Sequence, residues 1–271
     1  MTYDSYRPPM AVILADGMNA RLGPMTDSTA ACMLSVGGSV ILERMIRNCL
    51  SCGISRFVLV LGHRADDITQ FVTKAFRGVR VTYVTNDRYR DSNTAHALSL
   101  AAAAIGSSEF IRIDANVVFD AKILRQFTDS DLPNALCIDR KSADGKMKVV
   151  ADDQNHVRAL GKSVDPETAQ GVSIGIEKIS AKTAPLLFAE IALMTENAAN
   201  LNIDLEAAYG QLIEKGTDIY AFDVTGLNWT NIETTEDFDT ANAIFRSPIT
   251  TVSRGQQRAL DEASEDGPGP T

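Results

Sequence analysis

Residues 10–34, MAVILADGMNARLGPMTDSTAACML, decide the fold of this chain. The apolar run Ala11–Ala15 contains no polar residue, which is typical of a strand buried on both faces of a parallel sheet. A loop with glycines and Arg21 follows, and in open α/β sheets such a loop is where nucleotides bind. Its backbone N–H groups can face phosphate oxygens, and an arginine matches a phosphate bidentately. The alternative is an ordinary turn with one surface arginine, since one such loop is a weak signal.

Helices and apolar strands alternate after this loop. Periodicity predicts a helix over 40–52, a strand over 57–62, a helix over 66–76 and a strand over 79–84. A β-α-β-α-β order builds a parallel sheet with right-handed crossovers. We therefore expect an α/β fold in which helices flank a mostly parallel central sheet, a Rossmann-like arrangement.

The second half of the chain mixes shorter strands with helices. The further predicted elements are a helix within 86–104, a strand over 110–119, hairpin-like strands between 135 and 175, helices over 179–195 and 203–215, and a strand over 219–224. The hairpin-like strands indicate a small antiparallel excursion. We expect a flexible lead-in at 1–9, one domain over 10–246 and a disordered acidic tail at 247–271.

Composition excludes several classes of protein. The 271 residues are 45% hydrophobic, enough for one substantial core, and their net charge of −9 argues against a nucleic-acid partner. Cys49-x-x-Cys52 has metal-ligand spacing but no second pair, and it lies in a predicted helix, so packed thiols are favoured over a zinc site. No signal peptide or membrane-spanning run is found, and we expect a cytoplasmic protein without membrane contact.

The motif order resembles the sugar-phosphate nucleotidyltransferase superfamily, in which an apolar strand runs into a G-x-G-x-R-L loop. There a segment ending in a lysine precedes L-x-x-V-x-G-x-P-L-L. The matching residues are Gly17, Arg21-Leu22, Thr26-Asp27, Leu34, Val36, Gly38 and 41–44. Two positions depart from the pattern: Asn19 stands at the second loop glycine, and Ala31 stands at the lysine.

A later stretch narrows the resemblance to the phosphocholine and 2-aminoethylphosphonate cytidylyltransferase branch. The residues that match N-x-x-Y-x-x-x-N, followed by S-L, are Asn86, Tyr89, Asn93 and Ser99-Leu100. His96 and Ala97 stand where this branch often has Tyr-Ser. Asn93 can also be read as the cap of the helix that follows, because asparagine is favoured at that position.

The magnesium site that the resemblance implies depends on two acidic positions. In the family, the strand matching 110–119 ends D-x-D-V-V-F and its second aspartate holds the metal; here Asn116 follows Asp114. A neutral amide is a much weaker ligand for a hard dication than a carboxylate. Glu233 stands at the second ligand position, which the family fills with aspartate, and the acids after it are typical of a helix start. Asp114 is either a ligand itself or a polar residue at a strand end.

The resemblance implies roles for further residues. Arg21 and Lys162 would act on the phosphates as catalytic groups. The implied nucleotide-binding residues are Leu14, Ala15, Gly17, Asn19, Arg21, Asn93 and Asp114. The implied acceptor pocket contains Tyr89, His96, Ser173 and Glu206, and the implied, weakened metal site contains Asn116 and Glu233.

The implied reaction is attack of a phosphorylated or phosphonate small molecule on the α-phosphorus of a nucleoside triphosphate, CTP being favoured. Mg²⁺ is the implied cofactor, pyrophosphate is released, and a homodimer is left open. Such chemistry depends on charge neutralisation, and losing one charged donor costs about a hundred- to a thousandfold in rate. Ala31, Asn116 and Glu233 all alter that neutralisation. The chain is therefore a nucleotidyltransferase with a rearranged site, an impaired relative that binds a nucleotide or partner, or a scaffold that activates another small acid.

Overall fold

The strands of the protein alternate with helices through most of the chain. A computed structural model describes residues 8–141, 147–196 and 201–247. The strands described are β1 Met10–Ala15, β2 Ser35–Val36, β3 Ser39–Val40, β4 Arg56–Leu61, β5 Arg80–Thr85, β6 Phe110–Asp114, β7 Val117–Phe119, β8 Ala135–Asp139, β9 Lys148–Ala151, β10 Val157–Gly161, β11 Gly171–Ile179, β12 Tyr220–Asp223 and β13 Trp229–Asn231. The α-helices described are α1 Ile41–Ser51, α2 Ala65–Ala75, α3 Thr94–Leu100, α4 Ala102–Ile105, α5 Ala121–Thr128, α6 Ala184–Thr195, α7 Leu205–Glu214 and α8 Thr235–Ile244. Short 3₁₀ helices cover Ala20–Thr26 and Ala31–Met33.

The central sheet is mostly parallel, as the sequence predicts. Its order across the main part is β12-β8-β11-β6-β1-β4-β5, and β11 alone runs antiparallel to its neighbours there. Strand β9 pairs with the first residues of β11, and β10 pairs with β9. This branch is the small antiparallel excursion expected between residues 135 and 175.

Strand β1 lies in the middle of the sheet, between β4 and β6. Its residues alternate between two apolar layers: Ala11 and Ile13 pack on one face, with α1, α2 and α5, while Val12 and Leu14 pack on the other, with α3, α6 and α7. Both faces are buried, so the strand needs no polar alternation. The register places Leu14 opposite Asp114 at the carboxyl end of β6.

Two predicted elements are corrected by the structure. The strand expected over 110–119 is two strands, because the chain turns after Asp114 and β7 pairs with β13 in a separate antiparallel ribbon. The helix expected from 179 begins at Ala184, since β11 continues to Ile179 and Pro185 lies in the first turn of α6. Helix α5 was not predicted at all.

The ends of the chain lie mostly beyond these elements. Of the predicted lead-in only residues 8–9, and of the predicted tail only residue 247, fall inside the described residues. Within the described ranges, no helix combines the length and apolar character that crossing a bilayer requires.

Candidate active site

A cleft opens at the carboxyl ends of β1 and β6, where the loops after these strands meet the segment before α3. It is lined by Leu14, Ala15, Asp16, Gly17, Asn19, Ala30, Ala31, Cys32, Tyr89, Ser92, Asn93, Thr94, Asp114, Ala115 and Asn116. The carboxyl edge of an open α/β sheet is the place where ligands bind in this class of fold. The cleft brings together eight of the residues predicted for the site: Leu14, Ala15, Gly17, Asn19, Tyr89, Asn93, Asp114 and Asn116.

The loop after β1 has Asn19 at the second glycine of the family pattern. Asn19 adopts the left-handed conformation, with φ 49° and ψ 47°. Asparagine tolerates this conformation better than most residues. The carbonyl of Asn19 accepts the N–H of Leu22 at 2.9 Å, which starts the first 3₁₀ helix. Asparagine can therefore take the place of a glycine in this loop.

Arg21 extends from this loop toward the C-terminal part of the domain. Its Nη1 lies 3.1 Å from Glu233 Oε2, and the Arg21 side chain is 66% exposed. The helix start predicted after Glu233 is present as a capping box between Thr234 and Asp237 at the start of α8. The N–H of Glu233 also donates to Asp237 Oδ2 at 3.0 Å. The start of α8 thus fixes the backbone of Glu233 opposite Arg21, on the rim of the cleft.

Asn116 and Glu233 are poorly suited to hold a resident magnesium ion. The side-chain amide of Asn116 donates to the carbonyl of Ile232 at 3.3 Å, and the N–H of Ile232 donates back to the Asn116 carbonyl at 2.9 Å. Glu233 is the anionic member of the pair, and it is engaged by Arg21. No group of three or more candidate ligands (His, Cys, Asp or Glu) occurs in the described part of the chain. A neutral amide and a paired carboxylate do not fit a hard dication.

Ala31 lies at the edge of a small apolar cluster. Its relative exposure is 3%, and the cluster around it includes Leu22, Val36 and Ile41. Ala31 also lines the cleft, so its methyl group faces the space in which the family pattern would place a lysine.

A buried arginine lies under the cleft. Arg112, on β6, is 1% exposed in its side chain; its Nη1 lies 2.5 Å from Glu177 Oε2 on β11, and its Nη2 donates to Asp114 Oδ1. Gly175 makes the approach possible, because a Cβ there would lie 2.5 Å from Asp114 Oδ2. Asp114 is therefore held by an ion pair. Of its two interpretations, a metal ligand or a polar residue at a strand end, this pair favours the second.

Further acids crowd the same arginine. Burial raises the pKa of Glu177 to about 7, with Asp114 and Glu206 adding to the rise and Arg112 opposing it. Burial also raises the pKa of Glu206, again against the attraction of Arg112. The hydroxyl of Tyr209 is buried beside them and finds no hydrogen-bond partner among the described residues. One guanidinium thus faces more carboxyl groups than it can neutralise.

Lys162, which is expected to face the phosphates, pairs with a carboxylate in this structure. Its Nζ lies 2.7 Å and 2.9 Å from the two carboxylate oxygens of Asp204. Asn93 Nδ2 donates to the same Asp204 at 2.8 Å, and Asn93 Oδ1 accepts the N–H of Thr94 at 2.8 Å. Asn93 therefore caps α3 while also lining the cleft, so its two alternative interpretations are compatible.

The remaining predicted residues lie outside the lining of the cleft. They are Arg21, His96, Lys162, Ser173, Glu206 and Glu233. His96 lies on α3, where burial and nearby Arg88 lower its pKa. Ser173 lies on β11 and accepts the N–H of Gly175 at 3.3 Å.

Sequence reasoning missed Arg112, Glu177 and Asp16. The first two are charged residues inside apolar strands, FIRID and GIEKI, and that break in an otherwise apolar run was a usable signal. Asp16 lines the cleft directly after β1, and Asn86 Nδ2 donates to its Oδ2 at 2.7 Å.

Comparisons with known proteins add independent observations. A family model described as Nucleotidyl transferase matches residues 10–247. A CMP-5'-(3-aminopropyl)phosphonate synthase from Streptomyces rubellomurinus is 24% identical over 164 residues, which is 56% of this chain and 26% of that protein. A choline-phosphate cytidylyltransferase from Streptococcus pneumoniae is 29% identical over 120 residues, 44% of this chain and 50% of that protein. The matched segments span half or less of these two relatives.

Solved structures share the fold over nearly the whole chain. The inositol-1-phosphate CTP transferase from T. maritima superposes with a TM-score of 0.71 at 18% identity, covering 96% of this chain and 98% of that one. At this identity the likeness concerns the fold alone.

Proposed function

Since the chain belongs to the nucleotidyl transferase family, we propose that it binds a nucleoside triphosphate, CTP being favoured, in the cleft after β1. It then transfers the nucleotide to a phosphorylated or phosphonate small molecule and releases pyrophosphate. The observation that carries this proposal is the cleft itself, at the carboxyl edge of the parallel strands. The preference for CTP is drawn from the names of the relatives, which are a CMP-phosphonate synthase and a choline-phosphate cytidylyltransferase.

In the proposed reaction, an oxygen of the acceptor's phosphate or phosphonate attacks the α-phosphorus. A bond from that oxygen to phosphorus forms, the bond to the bridging oxygen breaks, and pyrophosphate leaves with the electron pair. Catalysis of this kind depends on positioning and on neutralising charge. The loop over 17–21 would present backbone N–H groups to the phosphates. The exposed Arg21 would exchange its partner Glu233 for phosphate oxygens.

Lys162 is the second cation proposed to act on the phosphates. To do so its ammonium must leave Asp204, with which it forms a largely exposed ion pair. Exposed pairs of this kind contribute about 0–1 kcal/mol, so the exchange costs little. Because the donor set at Asn116 and Glu233 does not fit a resident metal, no step is assigned to one.

A second candidate function has its own support. Ala31 contributes no cation to the cleft, and Asn116 contributes no anion. These two residues favour the interpretation that the chain binds a nucleotide but transfers it slowly or not at all. Use of the scaffold to activate another small acid is a third candidate, which differs from the first in the acceptor.

Pyrophosphate release by the full chain tests these candidates. The assay combines each of four nucleoside triphosphates with a panel of acceptors: phosphocholine, 2-aminoethylphosphonate, inositol 1-phosphate, sugar 1-phosphates and unphosphorylated small acids. We expect release with CTP and a phosphorylated or phosphonate acceptor, its loss in Arg21→Ala, and no change in Arg77→Ala, where the exposed arginine lies far along the chain from the loop.

The other outcomes separate the candidates. Binding of CTP by calorimetry without release for any acceptor would support the second candidate. Release only with an unphosphorylated acid would support the third. A chain that binds no triphosphate would contradict all three.

A further inference from the structure

Asp16 is a carboxylate in the cleft that the proposed reaction does not use. It follows β1 directly and lines the cleft beside Gly17. Asn86, which is fully buried, donates from Nδ2 to Asp16 Oδ2 at 2.7 Å. Asn86 also donates to Ser92 Oγ at 3.0 Å, while its own Oδ1 accepts the N–H of Arg88 at 3.0 Å. These bonds fix which side of the Asn86 amide faces the carboxylate, so Asp16 is held in one orientation.

The two acids of the cleft differ in their partners. Asp114 is paired with the guanidinium of Arg112, whereas no ion pair to Asp16 occurs among the described residues. Burial raises the pKa of Asp16, and the hydrogen bond from Asn86 opposes the rise. Asp16 therefore presents a hydrogen-bond acceptor that no cation of the chain already occupies.

The negative charge of Asp16 argues against the phosphates as its target. A carboxylate and a triphosphate repel each other, and Arg21 lies elsewhere, on the rim with Glu233. Asp16 is instead tied to Asn86, which follows the edge strand β5. A carboxylate acceptor suits the uncharged nucleoside of a bound nucleotide, whose base offers hydrogen-bond donors, better than it suits the phosphates.

An aromatic side chain borders the cleft near Asp16. Tyr89 lines it and packs against Gly62, where a Cβ would lie 2.6 Å from Tyr89 Cβ and 2.8 Å from the Asp16 carbonyl oxygen. Glycine at this position thus lets the tyrosine approach the backbone of Asp16. A flat ring beside an oriented acceptor suits a nucleobase, which offers an aromatic face and a polar edge.

We propose that Asp16 accepts a hydrogen bond from the exocyclic amino group of cytosine and thereby makes the cleft select CTP over UTP, an inference that rests on the proposed function. The amino group at C4 of cytosine is a donor, and aspartate is one of the residues that accept from it. Uracil has a carbonyl oxygen at this place. Its one ring N–H lies between two carbonyl oxygens, both of which would face the negative charge.

Calorimetric titration of the full chain with CTP and with UTP tests the proposal. We expect the natural chain to bind CTP at least about tenfold more tightly than UTP, in the range that one specific base contact provides. In Asp16→Asn the preference for CTP should be lost or reversed, because Asn86 Nδ2 would hold the amide oxygen and leave the amide nitrogen, a donor, facing the base. Asp16→Ala should weaken the binding of CTP and leave the binding of UTP unchanged. The matched control is Asp153→Asn, at an exposed aspartate between β9 and β10, which should leave the ratio unchanged.

Each other result overturns the inference in a recognisable way. Equal affinities in the natural chain, or a preference that survives in both Asp16 variants, would show that Asp16 does not read the base. Equal weakening of CTP binding and UTP binding in the variants would show that Asp16 supports the loop or contacts the ribose and does not contact the base. If the natural chain binds no triphosphate, the proposed function fails first. If Asp16→Asn does not fold by circular dichroism, Asp16→Ala and the preference of the natural chain still decide.

Discussion

Two sets of ion pairs at the cleft serve opposite purposes. We call Arg112 with Asp114 and Glu177 the floor, and Arg21 with Glu233 the rim. On the floor, Arg112 is 1% exposed and holds Asp114 and Glu177; on the rim, Arg21 is 66% exposed and holds Glu233. Removing one partner of a buried pair leaves an uncompensated charge, whereas exposed pairs contribute little to stability. The floor therefore fixes geometry, and the rim keeps a cation that can change partners. Each of the following predictions separates these two roles.

The largest effect is expected on the floor. Arg112→Met should lower the free energy of unfolding by about 3–5 kcal/mol at neutral pH, because the buried Glu177 and the half-buried Asp114 lose their shared counter-ion. Urea unfolding followed by circular dichroism measures it. The control is Arg77→Met, an exposed arginine in the loop after α2, which should change stability by less than about 0.5 kcal/mol. A loss below 1 kcal/mol for Arg112→Met would contradict the contrast.

The second effect is a gain of activity from two residues that line the cleft. Ala31→Lys supplies a cation for the phosphates, and Asn116→Asp supplies a carboxylate that would hold Mg²⁺ added to the assay; both positions line the cleft. Together they should raise nucleotidyl transfer by more than about a hundredfold, the size of one preorganised charged donor. The gain should exceed the sum of the single changes, since the lysine directly and the aspartate through the added Mg²⁺ would neutralise the same phosphates.

Steady-state pyrophosphate release measures this gain. If the double variant stays inert with every triphosphate and acceptor, these two positions are not the reason for low activity. If the natural chain already turns over at roughly 1–1000 per second, the slow-transfer candidate is wrong. Lys162 and Glu233 are then the first residues to test.

A smaller effect is expected when the exchangeable cation is removed. Arg21→Ala should weaken nucleotide binding by about 1.5–3 kcal/mol, the value of a charge-assisted hydrogen bond. The free energy of unfolding of this variant should change by no more than about 1 kcal/mol, because the Arg21 side chain that pairs with Glu233 is largely exposed. Calorimetry and thermal unfolding of the same sample measure the two quantities. Unchanged affinity would remove Arg21 from the phosphate site.

The smallest effect concerns the pH dependence of the floor. Burial raises the pKa of Glu206, and raises that of Glu177 from 4.5 to about 7. A carboxyl group whose pKa is raised by folding stabilises the fold while protonated, and this contribution is lost as the pH rises through the folded pKa. Stability should therefore fall between about pH 4.5 and pH 7.

Glu206→Gln should reduce that fall and raise the melting temperature at pH 8 by roughly 2–4 °C, the shift that about 1 kcal/mol produces in a domain of this size. Glu167→Gln, at an exposed glutamate, is the matched control. A melting temperature that rises with pH in the natural chain, or that Glu206→Gln lowers at pH 8, would show that Glu206 is stabilised as the anion.

The sequence by itself determined the features that depend on neighbouring residues. The apolar run of β1 predicts its central place in the sheet, and the acids after Glu233 predict the start of α8. Periodicity and glycine placement also predicted the alternation of strands and helices up to β5. Such patterns are local, because burial on a strand repeats every second residue and a helix cap is satisfied within one turn.

Only the tertiary structure decided which charged groups meet. Arg112 and Glu177 are 65 residues apart and pair because β6 and β11 lie side by side in register. Asp16 and Asn86 are 70 residues apart, and Lys162 and Asp204 are 42 apart. The turn after Asp114 likewise depends on β7 finding β13. Long-range partners are chosen by strand order and packing of the whole domain, and no window of sequence contains that information.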